Sequence, residues 1–172
     1  IPESVYNMGL YFVYKRSNEE AKKWLTSSLD SFANVTHKPR KRLLAEINAH
    51  RLLGELYKQD YEYIVAEEYF RTGISLFQEA QAAGLKGNKD VGLLYADLGD
   101  LNYFVSSDLD EALTNYLTSI EIENDTPSIR YKIGYIQYAK KRYAEALGSF
   151  IKTYEELPFD KNVLLALGNV LT

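Results

Sequence analysis

The chain has 172 residues and a formal net charge of -4, with 46% apolar and 26% charged residues, a composition typical of folded soluble domains rather than of disordered or membrane-spanning chains. The net negative charge argues against nucleic-acid binding, and the absence of cysteine excludes disulfides and thiolate metal sites. The longest apolar run, residues 163–167, is too short to insert across a membrane. The sequence does not determine the compartment, and the cytoplasm is favoured slightly over the periplasm.

Five glycines, each preceded by a large apolar residue, divide the chain at nearly regular intervals. The dipeptides are Met8-Gly9, Leu53-Gly54, Leu98-Gly99, Ile133-Gly134 and Leu167-Gly168. Their glycines are 45, 45, 35 and 34 residues apart. An alanine and a bulky residue four positions later follow each of the first four glycines: Ala21 and Leu25, Ala66 and Phe70, Ala112 and Tyr116, Ala146 and Phe150. Small residues let two helix backbones approach and the bulky residue fills the remaining gap, so the pattern predicts packed helix pairs.

The first unit is predicted at about residues 2–40. Pro2 suits the first position of a helix, and Asn18 followed by two glutamates indicates the start of a second helix. The basic segment from His37 to Arg42 is interpreted as the loop into the next unit.

The second unit, at about residues 41–90, repeats the spacing of the first. Both exceed a period of 34 by 11 residues, which is about three helical turns at 3.6 residues per turn and would keep the apolar face in register. We therefore expect the first two hairpins to be extended, with part of the excess in their loops.

The third and fourth units are predicted at about residues 91–126 and 127–160, and a partial fifth at 161–172. The turn from Val105 to Asp108 is expected to be one residue longer than its counterpart in the fourth unit. Asp108 with Glu111 indicates a capping box. Because the last unit is incomplete, the sequence is interpreted as a piece of a longer protein.

Residues 131–158 resemble a tetratricopeptide repeat. Ile133-Gly134, Ala146, Phe150 and Pro158 stand at the spacing of that repeat, and the other units align with it. The resemblance implies an all-α, right-handed superhelical solenoid of antiparallel helix hairpins, built as a single repeat array over residues 1–172.

In this family, set positions on the first helix of each hairpin line a concave face that binds other proteins. Carried over to this chain, those positions predict a partner-binding surface of Tyr6, Leu10, Tyr14, Arg51, Glu55, Lys58, Tyr103, Phe104, Tyr131, Tyr135 and Tyr138. The last three are four and three residues apart and so share one helix face. Tyrosine offers a large contact area with a polar tip and is favoured at interfaces. The alternative interpretation is that most tyrosines pack between the hairpins.

The chain lacks the set of lysines and asparagines with which some family members clamp the carboxylate of chaperone tails. We therefore expect the groove to prefer apolar, aromatic or helical ligands. Residues 61–126 carry three basic against thirteen acidic side chains, a net charge of -10, whereas residues 1–60 and 127–172 each carry +3. This uneven charge predicts either steering of a basic partner or a solvated outer face.

The resemblance implies a scaffold or adaptor that binds a protein or peptide. Two alternatives stay open: a peptide-sensing regulator, because long hairpins also occur in bacterial signal-peptide receptors of this superfamily, and self-association through the open C-terminal helix. No catalytic residue, cofactor or metal is expected. The two histidines, His37 and His50, lack the spacing of a helical metal site, and adjacent carboxylates on a helix point in different directions.

Overall fold

The computed structural model describes residues 2–36 and 38–171, so the loop expected at His37 lies in part outside the described residues. Within those ranges the chain forms nine α-helices. They are α1 (Pro2–Tyr14), α2 (Asn18–Ala33), α3 (Arg40–Gln59), α4 (Tyr63–Ala82), α5 (Lys89–Leu101), α6 (Leu109–Glu121), α7 (Pro127–Ala139), α8 (Tyr143–Glu156) and α9 (Lys161–Leu171). A π-helical turn, Asn102–Ser106, continues α5.

Successive helices pair into four antiparallel hairpins, α1–α2, α3–α4, α5–α6 and α7–α8, and α9 packs on the fourth. The first helices of neighbouring hairpins also contact one another: α1 contacts α3, α3 contacts α5, and α7 contacts α9. The first helices therefore share the concave side of a right-handed solenoid. This arrangement confirms the predicted all-α fold of stacked helix hairpins.

Each hairpin closes over its glycine as the sequence pattern predicted. A β-carbon on Gly99 would lie 2.8 Å from Cε1 of Tyr116, and one on Gly134 would lie 2.6 Å from Cε1 of Phe150. The same close packing occurs in the first two hairpins, between Gly9 and Leu25 and between Gly54 and Phe70. The alanines that precede these bulky residues by four positions are fully buried: Ala21, Ala66, Ala112 and Ala146.

The extra length of the first two units lies mainly in α2, α3 and α4, because α1 has 13 residues and is no longer than the helices of the third hairpin. Helices α3 and α4 have 20 residues each and α2 has 16, whereas α5, α6 and α7 have 13 each. Helix α3 begins at Arg40, immediately after Pro39. The basic residues 40–42 therefore form the first turn of α3 rather than part of a loop, which corrects the expectation from the sequence.

The extra residue of the third hairpin lies inside a helix, not in the turn where the sequence analysis placed it. Each hairpin turn contains one left-handed residue, with φ from 56° to 63°: Arg16, Tyr61, Ser107 and Lys141. This residue comes seven positions after the hairpin glycine in three hairpins and eight positions after Gly99 in the third. Asp108 caps α6 by accepting from the Glu111 amide (2.9 Å), so the turn is fixed. The helix absorbs the insertion by widening into a π-helical turn.

None of the helices in the described ranges combines the length and the apolarity needed to cross a bilayer.

Candidate functional site

Four aromatic side chains and one lysine line a depression of about 250 Å³ between the π-helical turn and α7. We call this depression the aromatic pocket; its residues are Tyr103, Phe104, Tyr131, Lys132 and Tyr135. The rings of Tyr103 and Phe104 pack edge to face with centroids 4.7 Å apart, and those of Tyr131 and Tyr135 are 5.3 Å apart. Phe104 is 67% exposed and Tyr135 is 39% exposed. Four residues predicted for the partner-binding surface are thus brought together at one place.

The pocket opens where the first helices separate. The backbones of α5 and α7 approach each other less closely than those of α3 and α5. Side chains span the wider gap: Tyr103 packs against the core between the third and fourth hairpins, and Tyr131 and Tyr135 lie against Phe150, with ring centroids 5.7 and 6.1 Å away. The aromatic walls of the pocket are therefore supported from both hairpins.

An ion pair beside the pocket joins three helices. Asp100 of α5 accepts hydrogen bonds from the Tyr116 hydroxyl (2.7 Å) and from Nζ of Lys132 (2.6 Å). The same Nζ lies 5.8 Å from the ring centroid of Phe104 and 5.5 Å from that of Tyr116. Asp100 therefore compensates the charge of Lys132, and the lysine occupies space that a second cation would need.

The hydroxyls of Tyr103, Tyr116 and Tyr131 stay un-ionised at neutral pH. Burial raises the pKa of Tyr131 to about 12, and its neighbour Tyr135 adds to this effect. Burial also raises the pKa of Tyr103, and burial together with the charge of Asp100 raises the pKa of Tyr116. With Lys132 paired, the pocket is a neutral aromatic surface.

Tyr138 is separated from the other two tyrosines of its helix face. Its ring lies 5.5 Å from that of Tyr143 and it does not line the pocket, although it shares the face of α7 with Tyr131 and, like Tyr131, packs against the core cluster of Ala146, Phe150 and Ala166. Of the predicted row of three tyrosines, Tyr131 and Tyr135 therefore line the pocket, and Tyr138 lies beside it next to Tyr143.

The charged residues predicted on α3 form a second cluster, which we call the charged patch. Arg51 pairs with Asp97 of α5 (Nη1 to Oδ2, 3.4 Å), and Lys58 pairs with Glu55. Burial first, and then the charge of the nearby Glu55, raise the pKa of Asp97 to about 8. Asp97 was not among the residues predicted from the sequence. Its position three residues before Asp100, on the same face of α5, is the signal that could have identified it.

The residues predicted on α1 have different environments. The Tyr6 hydroxyl accepts a hydrogen bond from Asn48 Nδ2 (2.7 Å), and Leu10 packs partly buried beside it in the core of the first two hairpins. Tyr14, at the end of α1, is 82% exposed. Tyr6 and Leu10 thus belong mainly to the packing between hairpins, as the alternative interpretation of the tyrosines proposed.

His50 has the environment of a packed residue. Its ring lies 5.9 Å from that of Tyr69, and burial, with a smaller contribution from Lys38, lowers its pKa to about 4. Across residues 2–36 and 38–171, no group of three histidine or carboxylate side chains is arranged to hold a metal ion.

The family model described as TPR repeat matches residues 92–141, which include most of α5 and all of the π-helical turn, α6 and α7. No curated protein sequence shows significant similarity to the chain. Among solved structures, the chain is similar to MamA (TM-score 0.71, 15% identity, 98% of this chain and 80% of that one). It is similar to pilF of Pseudomonas aeruginosa (TM-score 0.67, 17% identity, 99% and 67%). It is also similar to a chain of the APC/C hetero-tetramer Cut9-Hcn1 (TM-score 0.70, 15% identity, 100% and 30%).

Proposed function

We propose that this chain, which matches the TPR repeat family model over residues 92–141 and has the fold of MamA, is a protein-interaction scaffold whose concave face binds a partner polypeptide at the aromatic pocket. Proteins of this fold generally offer an extended concave surface to other proteins. One protein of the same fold is part of a hetero-tetramer with Hcn1. The role proposed here is therefore binding rather than catalysis.

The observation that carries the proposal is the exposure of Phe104 and Tyr135 on a supported surface. An aromatic ring that leaves a large area in water contributes to binding when a partner covers it. Exposed Phe104 and Tyr135 lie on either side of one depression. Tyr135 packs against Phe150, and Asp100 holds Lys132 over the Phe104 ring. A partner would therefore meet a surface that is already ordered.

The size of the pocket favours a polypeptide side chain over a metabolite. Pockets for small molecules and cofactors are commonly about 300–1,000 Å³, and the aromatic pocket, at about 250 Å³, is smaller and open. Such a depression accommodates one anchoring side chain while the rest of the partner lies along the groove.

A displayed library of random peptides, selected against the protein, tests this proposal. Enriched peptides are synthesised with a fluorescent label, and their affinity is measured by anisotropy for the wild type and for Tyr135→Ala. We expect the substitution to weaken binding at least about ten-fold, because truncating a central aromatic anchor costs about 2 kcal/mol or more.

Tyr154→Ala is the matched control, because Tyr154 of α8 has the same 39% exposure as Tyr135 but does not line the pocket. Equal losses in the two variants, or no enriched peptide, would refute the proposal. A free peptide that binds as tightly as the same segment within a folded protein would favour the peptide-sensing regulator over the adaptor.

A second candidate function is self-association through α9, favoured by the environment of Gly168. A β-carbon on this glycine would meet no atom within 4 Å, unlike one on any of the four hairpin glycines. Leu164 and Leu171, on the same helix face, are 47% and 71% exposed. In a two-fold contact between two copies, a leucine of each α9 would lie over the glycine of the other.

The mass in solution, measured by light scattering at increasing protein concentration, tests self-association. A dimer that Leu164→Lys and Leu171→Lys convert to a monomer would support the α9 contact. A monomer at all concentrations, or a dimer insensitive to both substitutions, would exclude it.

A further inference from the structure

The π-helical turn gives the third hairpin two aromatic rings where the other hairpins have one side chain. Counted forward from the hairpin glycine, Tyr103 is equivalent to Tyr138 of α7. Counted back from the left-handed residue of the turn, Phe104 is equivalent to that same Tyr138. In the first two hairpins the position is held by Val13 and Lys58. The inserted residue thus duplicates one groove-facing position.

Hydrogen bonds locate the insertion after Asn102. The Asp108 amide donates to the Asn102 carbonyl (2.9 Å) across six residues, whereas the corresponding bond from Arg142 to Gln137 (2.8 Å) spans five. Asn102 is itself 3% exposed. The helix therefore keeps its register up to Asn102, and the additional residue lies between Asn102 and Ser107.

Side chains of α6 hold the base of the widened turn. Asn102 donates to Oε2 of Glu111 (3.0 Å) and accepts from Nδ2 of Asn115 (2.9 Å). Arg71 of α4 in turn pairs with Oε1 of Glu111 (2.8 Å). The widened turn is thus anchored on the side away from the groove, which leaves Tyr103 and Phe104 to form one wall of the aromatic pocket.

The charges around the pocket favour a neutral ligand. Lys132 stands over the Phe104 ring, so an entering cation would be repelled. The same lysine is bound by Asp100, so an anion would gain little from it. What the pocket offers is aromatic surface, which binds large apolar side chains best.

We propose that the inserted residue determines specificity: by presenting Tyr103 and Phe104 together, the π-helical turn shapes the aromatic pocket for one large apolar side chain of the partner, of the leucine or aromatic class. This inference rests on the proposed function and adds to it the chemistry of the anchor and the residue that creates the pocket.

Deletion of Val105 tests the inference, because it restores the seven-residue spacing of the other hairpins while keeping both rings. Val105 is 46% exposed. The probes are the labelled peptides from the displayed library, each made with its anchor as leucine, phenylalanine, lysine or glutamate. We expect the deletion to weaken leucine- and phenylalanine-anchored peptides at least ten-fold, with a melting temperature at or above that of the wild type. Lysine and glutamate anchors should bind poorly to all variants.

Phe104→Ala keeps the experiment decisive if the deletion variant does not fold, since Phe104 is 67% exposed and its truncation should leave the fold intact. The inference would be overturned by peptides whose binding depends on Tyr135 but is as tight to the folded deletion variant and to Phe104→Ala as to the wild type. The proposed scaffold function would still hold in that case. A selected anchor that is charged would overturn the inference as well. Failure to select any Tyr135-dependent peptide would instead refute the proposed function.

Discussion

The ring of Phe150 packs so closely on Gly134 that a β-carbon at this glycine would lie 2.6 Å from Cε1 and 2.8 Å from Cδ1. Phe150 cannot move aside easily, because it is 1% exposed and lies between Tyr131, Tyr135 and the buried Ala166. This contact joins α7 to α8 and also supports two walls of the aromatic pocket.

Gly134→Ala should therefore destabilise the protein by about 1–3 kcal/mol, the usual cost of overpacking a tight core contact. Gly148→Ala is the matched comparison in the next helix, because a β-carbon there would meet no atom within 4 Å. It should stabilise the protein by up to about 1 kcal/mol through helix propensity. Urea unfolding of both variants checks the prediction, and equal effects of the two alanines would contradict it.

Tyr116→Phe should destabilise the protein by about 0.5–1.5 kcal/mol. The substitution keeps the ring over Gly99 but removes the hydroxyl that donates to Asp100 at 2.7 Å, and a typical hydrogen bond contributes about this amount. Phenylalanine already occupies the equivalent positions, Phe70 and Phe150. Thermal and urea unfolding measure the change, and an unchanged stability would show that Lys132 and water satisfy Asp100 without Tyr116.

Asn102→Ala should cost more stability than Gln137→Ala. Asn102 makes two side-chain hydrogen bonds, to Glu111 and Asn115, whereas the equivalent Gln137 makes one, with Ser149 (2.7 Å). Removing Asn102 leaves two buried or partly buried partners without their bond, at about 1–3 kcal/mol, against about 1 kcal/mol for Gln137. Urea midpoints compare the two variants. The reverse order would indicate that the widened turn is held by the backbone alone.

Stability should fall as the pH rises from about 6.5 to 8, because of Asp97. The folded-state pKa of Asp97 is raised to about 8, while that of an unfolded aspartate is about 3.9. The folded protein therefore holds a proton that the unfolded chain has released, and the free energy of unfolding decreases by at most about 1.4 kcal/mol per pH unit.

Asp97→Asn should remove this slope. His50 changes stability in the opposite direction below about pH 6.5. Its pKa is lower in the folded protein than in the unfolded chain, so the unfolded chain is protonated first and the free energy of unfolding falls as the pH falls. Unfolding in urea between pH 6.5 and 8.5 isolates the Asp97 contribution from that of His50. A wild-type slope equal to that of the asparagine variant would show that Asp97 is already ionised.

The packing of each hairpin followed directly from the sequence. Gly134, Ala146 and Phe150 stand at distances that place them on facing helix stripes, and the spacing of residues along a helix depends only on its period. Asp108 caps α6 as expected, but Glu111 does not complete the predicted capping box, because the Asp108 amide donates to the Asn102 carbonyl and the Glu111 carboxylate pairs with Asn102 and Arg71. The concave-face positions came from the family resemblance, and four of them, Tyr103, Phe104, Tyr131 and Tyr135, line one pocket.

Other features could not be predicted, because they depend on how one hairpin lies on the next. Whether an extra residue enters a turn or a helix depends on the contacts at both ends. Here it lies between Asn102 and Ser107, in the π-helical turn that continues α5. Tyr138 has the spacing of its neighbours but lies outside the pocket, beside Tyr143, and Asp97 meets Glu55 only because α5 packs beside α3.

The sequence alone therefore determined the helices, their pairing and the faces they bury, because those properties repeat with the period of the helix. The tertiary structure decided which side chains from different hairpins meet, and with them the aromatic pocket and the charged patch, because the angle and distance between hairpins are set by packing across the whole stack.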